Sequence, residues 1–353
     1  MNSSQHQDDS SRHYRFRFWV ILCLLITLPV SFVSALSFGT IALSFNEVIF
    51  SLFSEIESHS RTNLVVQQIR LPRALLAMFV GALLGICGAA TQGLFRNPLA
   101  DPSLIGVTAG ASAGAAVTIF FGNNINLIHE LSGLGLVSCG AFLGGCLAVI
   151  LVYKLATSRT GTSVATMLLV GIAITAIAGS LTSLMEFFSN DEMLRKISLW
   201  QMGGLDGANY QKVSLISLFS ACVLIILPRF STALNALLLG ESEARHLGLS
   251  VQRIKFQIIL LVAAGVGVSV ALAGSIGFIG LIIPHIIRLL IGPDHRYLLP
   301  ISAIGGAILL LLADTLARTI FSPIELPVGL VTALLGAPFF ISLLRQRHRF
   351  GMQ

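Results

Sequence analysis

From Ala74 to Phe95 the chain carries no charged residue. The run is bracketed by Arg70-Leu71-Pro72-Arg73 on one side and Arg96-Asn97-Pro98-Leu99-Ala100-Asp101-Pro102 on the other. A stretch of about 20 apolar residues is long enough to cross a bilayer as a helix. Each mouth of that helix offers a different surface: fixed positive charge at one, a rigid polar turn at the other.

The rest of the chain repeats the pattern. Of 353 residues, 55% are hydrophobic and 11% charged, and the mean hydropathy is +0.87. A soluble domain carries roughly 25% charged residues. This chain has too little polar surface to face water and must be solvated largely by lipid. The net charge of +6 comes from basic residues that flank apolar runs. That placement points to orientation in a membrane, and no nucleic-acid partner is expected.

Apolar runs separated by charged or turn-rich breaks predict ten spans, near 18–38, 73–93, 103–121, 133–156, 164–188, 211–228, 256–272, 278–291, 298–320 and 328–344. The fold class expected is therefore an all-α polytopic membrane protein. With the N-terminus inside, fifteen basic residues collect at cytoplasmic ends: Arg12, Arg15, Arg17, Arg96, Lys154, Arg159, Arg229, Arg245, Arg253, Lys255, Arg288, Arg296, Arg345, Arg347 and Arg349. Seven fall outside: Arg61, Arg70, Arg73, Arg195, Lys196, Lys212 and Arg318. Positive residues favour the cytoplasmic side, so both termini are expected inside. The organisation expected is a cytoplasmic tail at 1–17, a transmembrane domain at 18–344 and a cytoplasmic tail at 345–353. No small-residue cleavage site ends the first apolar run, so it is read as a retained span.

The spans are rich in Gly and Ala, as in GALLGICGAA and GVTAGASAGAA. Small residues let helix backbones approach closely in lipid, which describes a compact bundle. The five cysteines lie in apolar stretches without metal spacing and read as small hydrophobes. No metal site is expected.

Four features invite a functional reading beside a bland one. Arg70, Arg73 and Arg318 sit at the outer mouth against the charge bias. They could pair with carboxylates of a soluble partner, which speeds encounter and sets orientation, or snorkel to lipid headgroups. The turn 96–102 is rigid because of its two prolines; Asn97 and Leu99 could in addition close a pathway. The segment 229–255, RFSTALNALLLGESEARHLGLSVQRIK, is too Leu-rich for a bare loop and predicts short interfacial helices. A partner could grip them, or they could simply pack on the bundle. Glu186, His285, Arg288 and Asp314 lie in or near spans, where ionisable groups are costly and hence functional candidates. Structural hydrogen bonding is the competing role, and Asp314 with Arg318 has the spacing of a helical ion pair. There is no GxxxxGK[ST], HExxH or GxSxG motif. No catalytic residue is assigned, and the echo of an ATPase signature at Leu131–Gly135 opens an apolar span. If ATP drives this protein, another chain hydrolyses it.

The run RLPRALLAMFVGALLGICGAATQGLFRNPLADPSLIGVTAGASAGA resembles the FecCD family of ABC-importer permeases, which carry iron-siderophores, haem or cobalamin. Four further segments agree: Trp200-Gln201-Met202-Gly203-Gly204, LLLGESEARHLGL at 237–249, GFIGLIIPHIIRLLIGPDHRYLLP at 277–300 and ELPVGLVTALLGAPFF at 325–340. The resemblance implies a ten-span, type II importer half that forms a homodimer with its pathway at the interface. Two copies of a cytoplasmic ATPase would bind beneath it, and one periplasmic binding protein would dock above. It assigns Arg70, Arg73 and Arg318 to docking on that protein. Gly240, Glu241, Ala244 and Gly248 are assigned to the helices that couple to the ATPase, and Asn97 and Leu99 to a cytoplasmic gate. A second gate element falls within Gly161–Met167. ATP and Mg would be held by the ATPase, leaving this chain without a cofactor of its own.

The mechanism implied is alternating access at the bacterial inner membrane. Charged residues do not cluster at mid-depth, so selectivity is expected to reside in the binding protein. The segment Asp191–Arg195 followed by Trp200 resembles haem-type members; a ferric siderophore is the other expected cargo, with cobalamin as the alternative. From other classes, an ion-coupled transporter would need broken helices with coupling-ion sites at mid-depth. An intramembrane enzyme would need paired catalytic groups there, and a passive receptor would not accumulate ligand.

Overall fold

In the computed structural model the described residues are 3–39, 41–53, 61–124, 133–158 and 161–349. Arg159 and the ends of both tails, residues 1–2 and 350–353, lie outside them, as do residues 131 and 132 of the ATPase-like echo.

Each of the ten expected spans falls on a helix. They are α1 (Ser3–Ser37), α4 (Leu71–Leu94), α5 (Val107–Asn124), α6 (Gly133–Ala156), α7 (Val164–Phe187), α9 (Tyr210–Ile226), α12 (Val251–Ala273), α13 (Ile279–Ile291), α14 (His295–Thr319) and α15 (Val328–Arg349). Seven stretches of the described chain are long and apolar enough to cross a membrane; α5, α13 and α15 contribute shorter apolar segments. Between them stand shorter elements: α2 (Phe45–Phe53), α3 (Arg61–Leu64), α8 (Asp191–Gln201), α10 (Ser231–Leu239) and α11 (Glu241–His246). A two-stranded hairpin, β1 (Thr157–Ser158) with β2 (Gly161–Thr162), precedes α7.

Some boundaries move, for local reasons. The expected tail at 1–17 is helical from Ser3 and continues into α1. The third span begins at Val107, not near 103. Asp101 first accepts from the Ser103 N–H at 2.8 Å and caps a 3-10 turn, Pro102–Ile105, which Gly106 closes at φ +76°. The seventh begins earlier, at Val251. Helices α7, α8, α9 and α14 start where Ser163, Asn190, Asn209 and Asp294 each cap a free backbone N–H with a side-chain oxygen. At 13 residues, α13 is too short to span alone. It begins inside the bundle, where Gly280 abuts Gly88 of α4.

The core is built around α4, α12 and α14, whose apolar segments are mostly buried, whereas less than a third of those in α1, α6, α7 and α9 is buried. Backbone approach explains Gly81, Gly85 and Gly88 of α4. A Cβ on Gly85 would stand 2.1 Å from the Ser302 carbonyl oxygen, inside any van der Waals contact. Helices α5 and α6 meet in the same way at Gly114, where a Cβ would lie 2.1 Å from the Gly140 oxygen. The outer helices expose Leu143 and Leu147 on α6, Leu169, Ile172 and Ile177 on α7, and Leu334 and Leu335 on α15. A surface of that kind is solvated by lipid or covered by another apolar face.

Candidate functional site

Two polar assemblies lie at opposite ends of the bundle: one around Arg73, the other around Glu241. The first begins with a local irregularity. Residues Val65–Arg70 form a π-helical turn that runs directly into α4, and Pro72 is the second residue of α4. This turn lays Arg70 against the C-terminus of α1. The Arg70 guanidinium donates to the carbonyls of Leu36 at 2.7 Å and Ser37 at 2.9 Å, and to that of Ile41. Arg318, from the last turn of α14, donates to Ala35 at 2.9 Å and Phe38 at 3.2 Å. Two arginines thereby satisfy the carbonyls that the end of α1 leaves without helical partners.

Arg73 sits beside them and gathers carboxylates. Its Nε donates to Asp314 Oδ1 at 3.0 Å, and its Nη1 reaches Glu325 at 2.6 Å and Asp206 at 3.2 Å. Asp314 also lies 3.0 Å from Arg318 Nε, through Oδ2, as an ion-pair contact without hydrogen-bond alignment. That is the helical pair foreseen from the spacing. All three arginines are buried, at 5%, 8% and 4% exposed for Arg70, Arg73 and Arg318, and Asp314 is 1% exposed. The rim carboxylates are open: the Asp206 side chain is 71% exposed and that of Glu325 34%. The Asp206 carboxyl is nevertheless held above the ordinary aspartate range. Desolvation pushes it up, Arg73 pulls it down, and Glu325 and Asp314 add like-charge repulsion. Sequence reasoning found the arginines but missed Asp206 and Glu325 as their partners.

At the other end, α4 terminates at the proline turn. Arg96 takes a left-handed backbone at φ +50°. The Asn97 side chain accepts from the Leu99 N–H at 3.0 Å, and the Asn97 carbonyl accepts from Ala100 N–H at 3.0 Å. Asn97 is exposed and Leu99 half-buried, so both remain on the surface of this end. The turn continues through Asp101 into a cavity of about 570 Å³ that it shares with α7 and the 275–281 segment. Phe278 lines that cavity with φ +69°, a conformation costly for an aromatic residue. Hydropathy alone gives no sign of that strain.

The short helices expected within 229–255 are present as α10 and α11. Gly240 joins them at φ +127° and Gly248 ends α11 at φ +83°, backbone states that glycine adopts most freely. Ala244 packs inward at 0% exposure, while Ser242, Glu243, Arg245, His246 and Leu247 face out. The outward face is thus mixed and uncovered, with two glycines at its ends. Asn235 anchors α10 to the start of α14, donating to Asp294 at 2.7 Å and accepting from the His295 N–H at 2.9 Å. Glu241 turns inward and pairs with Lys255 of α12. Of the other ionisable candidates, Glu186 accepts from Gln201 at 2.6 Å, and Arg288 donates to Gln92 at 2.7 Å. These contacts tie helix to helix, the structural role weighed for them. Among the described residues no group of His, Cys, Asp and Glu has the makings of a metal site.

Comparison with known proteins gives one consistent result. The model of the FecCD transport family matches residues 24–346. The hemin transport system permease protein HmuU of Yersinia pestis is 42% identical over 92% of this chain and 95% of its own length. The vitamin B12 import system permease protein BtuC of Salmonella paratyphi A is 44% identical over 82% of this chain and 86% of its own. The cobalamin import system permease BtuC of Halobacterium salinarum is 42% identical over 80% and 74%. Among solved structures, an inward-facing conformation of a metal-chelate type ABC transporter matches with a TM-score of 0.80 at 34% identity, covering 93% of this chain and 99% of that one. PsaBC from Streptococcus pneumoniae shares the fold at 16% identity and a TM-score of 0.51. A match of this length, carried by both ends of the bundle and every helix between them, makes the chain a member of the FecCD transport family.

Proposed function

We propose that this ABC-importer permease carries haem across the bacterial inner membrane. The observation that supports haem is the similarity to a hemin permease along almost the whole chain. A ferric siderophore is the other cargo of this reading. Similarity to cobalamin permeases is as strong per residue but covers less of the chain, which keeps cobalamin as the alternative.

In this reading both termini are cytoplasmic, and the Arg73 assembly faces the periplasm. A binding protein docks there through Arg70, Arg73 and Arg318. Because these arginines are buried and internally paired, docking is an exchange of ion pairs: carboxylates of the partner replace the exposed Asp206 and Glu325 at Arg73. Two copies of an ATPase grip α10 and α11 around Gly240, Glu241, Ala244 and Gly248. The turn at Asn97 and Leu99 closes the cytoplasmic side. A second copy of this chain covers the exposed apolar faces of α7 and α15, and lipid covers the rest. Hydrolysis belongs to the ATPase, which binds ATP and Mg; this chain supplies the moving walls.

The test is uptake into proteoliposomes holding the permease with its ATPase and binding protein, offered haemin, a ferric siderophore or cobalamin. ATP-dependent accumulation of haemin above the other two is the expected result. Accumulation of cobalamin alone would replace the haem reading with its alternative.

A further inference from the structure

The side chain of Lys255 is unusual for its surroundings. It lies near the start of α12 and is only 1% exposed. A buried ammonium needs partners, and this one has two from separate segments. It donates to the backbone carbonyl of Thr162 at 2.9 Å and to the Glu241 carboxylate. Gln252, one turn earlier, accepts from the Thr162 N–H at 2.9 Å. Both backbone groups of Thr162 that face α12 are therefore taken. Gly161, at φ +122°, lies against the Gln252 side chain: a Cβ there would stand 2.4 Å from its amide nitrogen.

Thr162 immediately precedes Ser163, the residue that caps α7. Farther along α7, Gly171 is pressed against the 3-10 turn that follows Asp101; a Cβ on it would stand 2.0 Å from the Leu104 carbonyl oxygen. A continuous set of contacts thus runs from α11 through Lys255 to the hairpin, along α7, and back to the turn holding Asn97 and Leu99. Packing alone does not require a lysine here, because apolar residues of similar volume often replace buried ion pairs without loss of stability. What the ammonium adds is a directional, charge-assisted link between three segments.

We propose that Lys255 is a positioning residue that fastens α11 to the hairpin ahead of α7, so that displacement of α11 is passed to the Asn97–Pro102 turn. This rests on the permease reading above, in which α11 is moved by an ATPase. Loss of the link lets α11 move without carrying the hairpin along. ATP is then hydrolysed without transport.

The experiment measures haemin uptake per ATP hydrolysed by the full complex in proteoliposomes. Lys255→Met is expected to lower that ratio roughly tenfold, and Lys255→Arg to restore most of it. Glu241→Gln should lower it similarly, with the double variant no worse than either single one. An unchanged ratio in Lys255→Met overturns the proposal, whether uptake is intact or falls in step with hydrolysis. A second measurement needs no cargo. Thr162→Cys in a background without the native cysteines is labelled by a charged maleimide in membranes. Adding Lys255→Met is expected to speed labelling severalfold, and an unchanged rate overturns the link. A wild-type complex that hydrolyses ATP but moves no haemin would sink the haem reading alone, leaving the labelling to decide on Lys255.

Discussion

Asp314 is the residue on which the Arg73 assembly turns. It is almost completely buried and touches both Arg73 and Arg318. Removing one partner of a buried ionic cluster leaves uncompensated charge, at a cost of about 3–5 kcal/mol. Asp314→Ala is therefore expected to lower the melting temperature of the solubilised protein sharply, and Asp314→Asn to lower it as well, since the charge is lost in both. Replacing Asp314 together with Arg73 and Arg318 by apolar residues of similar volume should recover much of the loss, because the charges left behind, on Asp206 and Glu325, lie at the exposed rim. A triple variant as unstable as the single one would show that the arginines stabilise by holding the end of α1, through the carbonyls of Ala35 to Phe38, more than by charge balance. This partnership was half legible in the chain. Asp314 and Arg318 are one helical turn apart and announce themselves by spacing. Arg73 and Glu325 are 252 positions apart, and no local pattern joins them. The same holds for Lys255, which looked like one more basic residue at a span end.

At the scale of elements, the ten apolar runs were legible because lipid allows a spanning segment few other solutions than a helix. What hydropathy did not reveal were elements set by caps and contacts. Helix α8 follows an Asn190 cap and presents a polar face, and α13 starts only once α12 has turned back inside the bundle. The paired glycines were legible as small residues but not as specific partners. Gly85→Leu is expected to disrupt the α4–α14 contact, because the Ser302 oxygen leaves no space even for a Cβ. Overpacking of this kind costs about 1–3 kcal/mol, readable as a lowered melting temperature. Gly248 makes the opposite case: a Cβ there meets nothing within 4 Å, and only its φ of +83° resists a side chain. Gly248→Ala should cost about 1–2 kcal/mol in backbone strain, and Gly248→Asn less, since Asn tolerates the left-handed region. If Gly248→Leu weakens binding of the ATPase in a pull-down far beyond Gly248→Ala, the open space beside Gly248 is filled by the partner. Equal binding by both variants would place the partner elsewhere on α10 and α11.

The whole molecule carries the two polar assemblies at its two ends and joins them by close-packed helices, with α4, α12 and α14 at the core. Docking at the Arg73 end is then expected to behave as a competition between internal and external carboxylates. Asp206 is mostly exposed and shares Arg73 Nη1 with Glu325. Neutralising it frees that guanidinium for a partner. Asp206→Asn is therefore expected to tighten binding of the cognate binding protein to the permease in nanodiscs, by roughly threefold at low salt. Arg73→Ala is expected to weaken it by roughly tenfold and to flatten its salt dependence, because screening over about 8 Å at physiological ionic strength acts mainly on exposed charge pairs. The two variants move affinity in opposite directions only if Arg73 itself meets the partner. Should Asp206→Asn weaken binding as much as Arg73→Ala, the assembly would instead act as a scaffold whose internal pairs must stay intact, with the partner held by other residues of the rim.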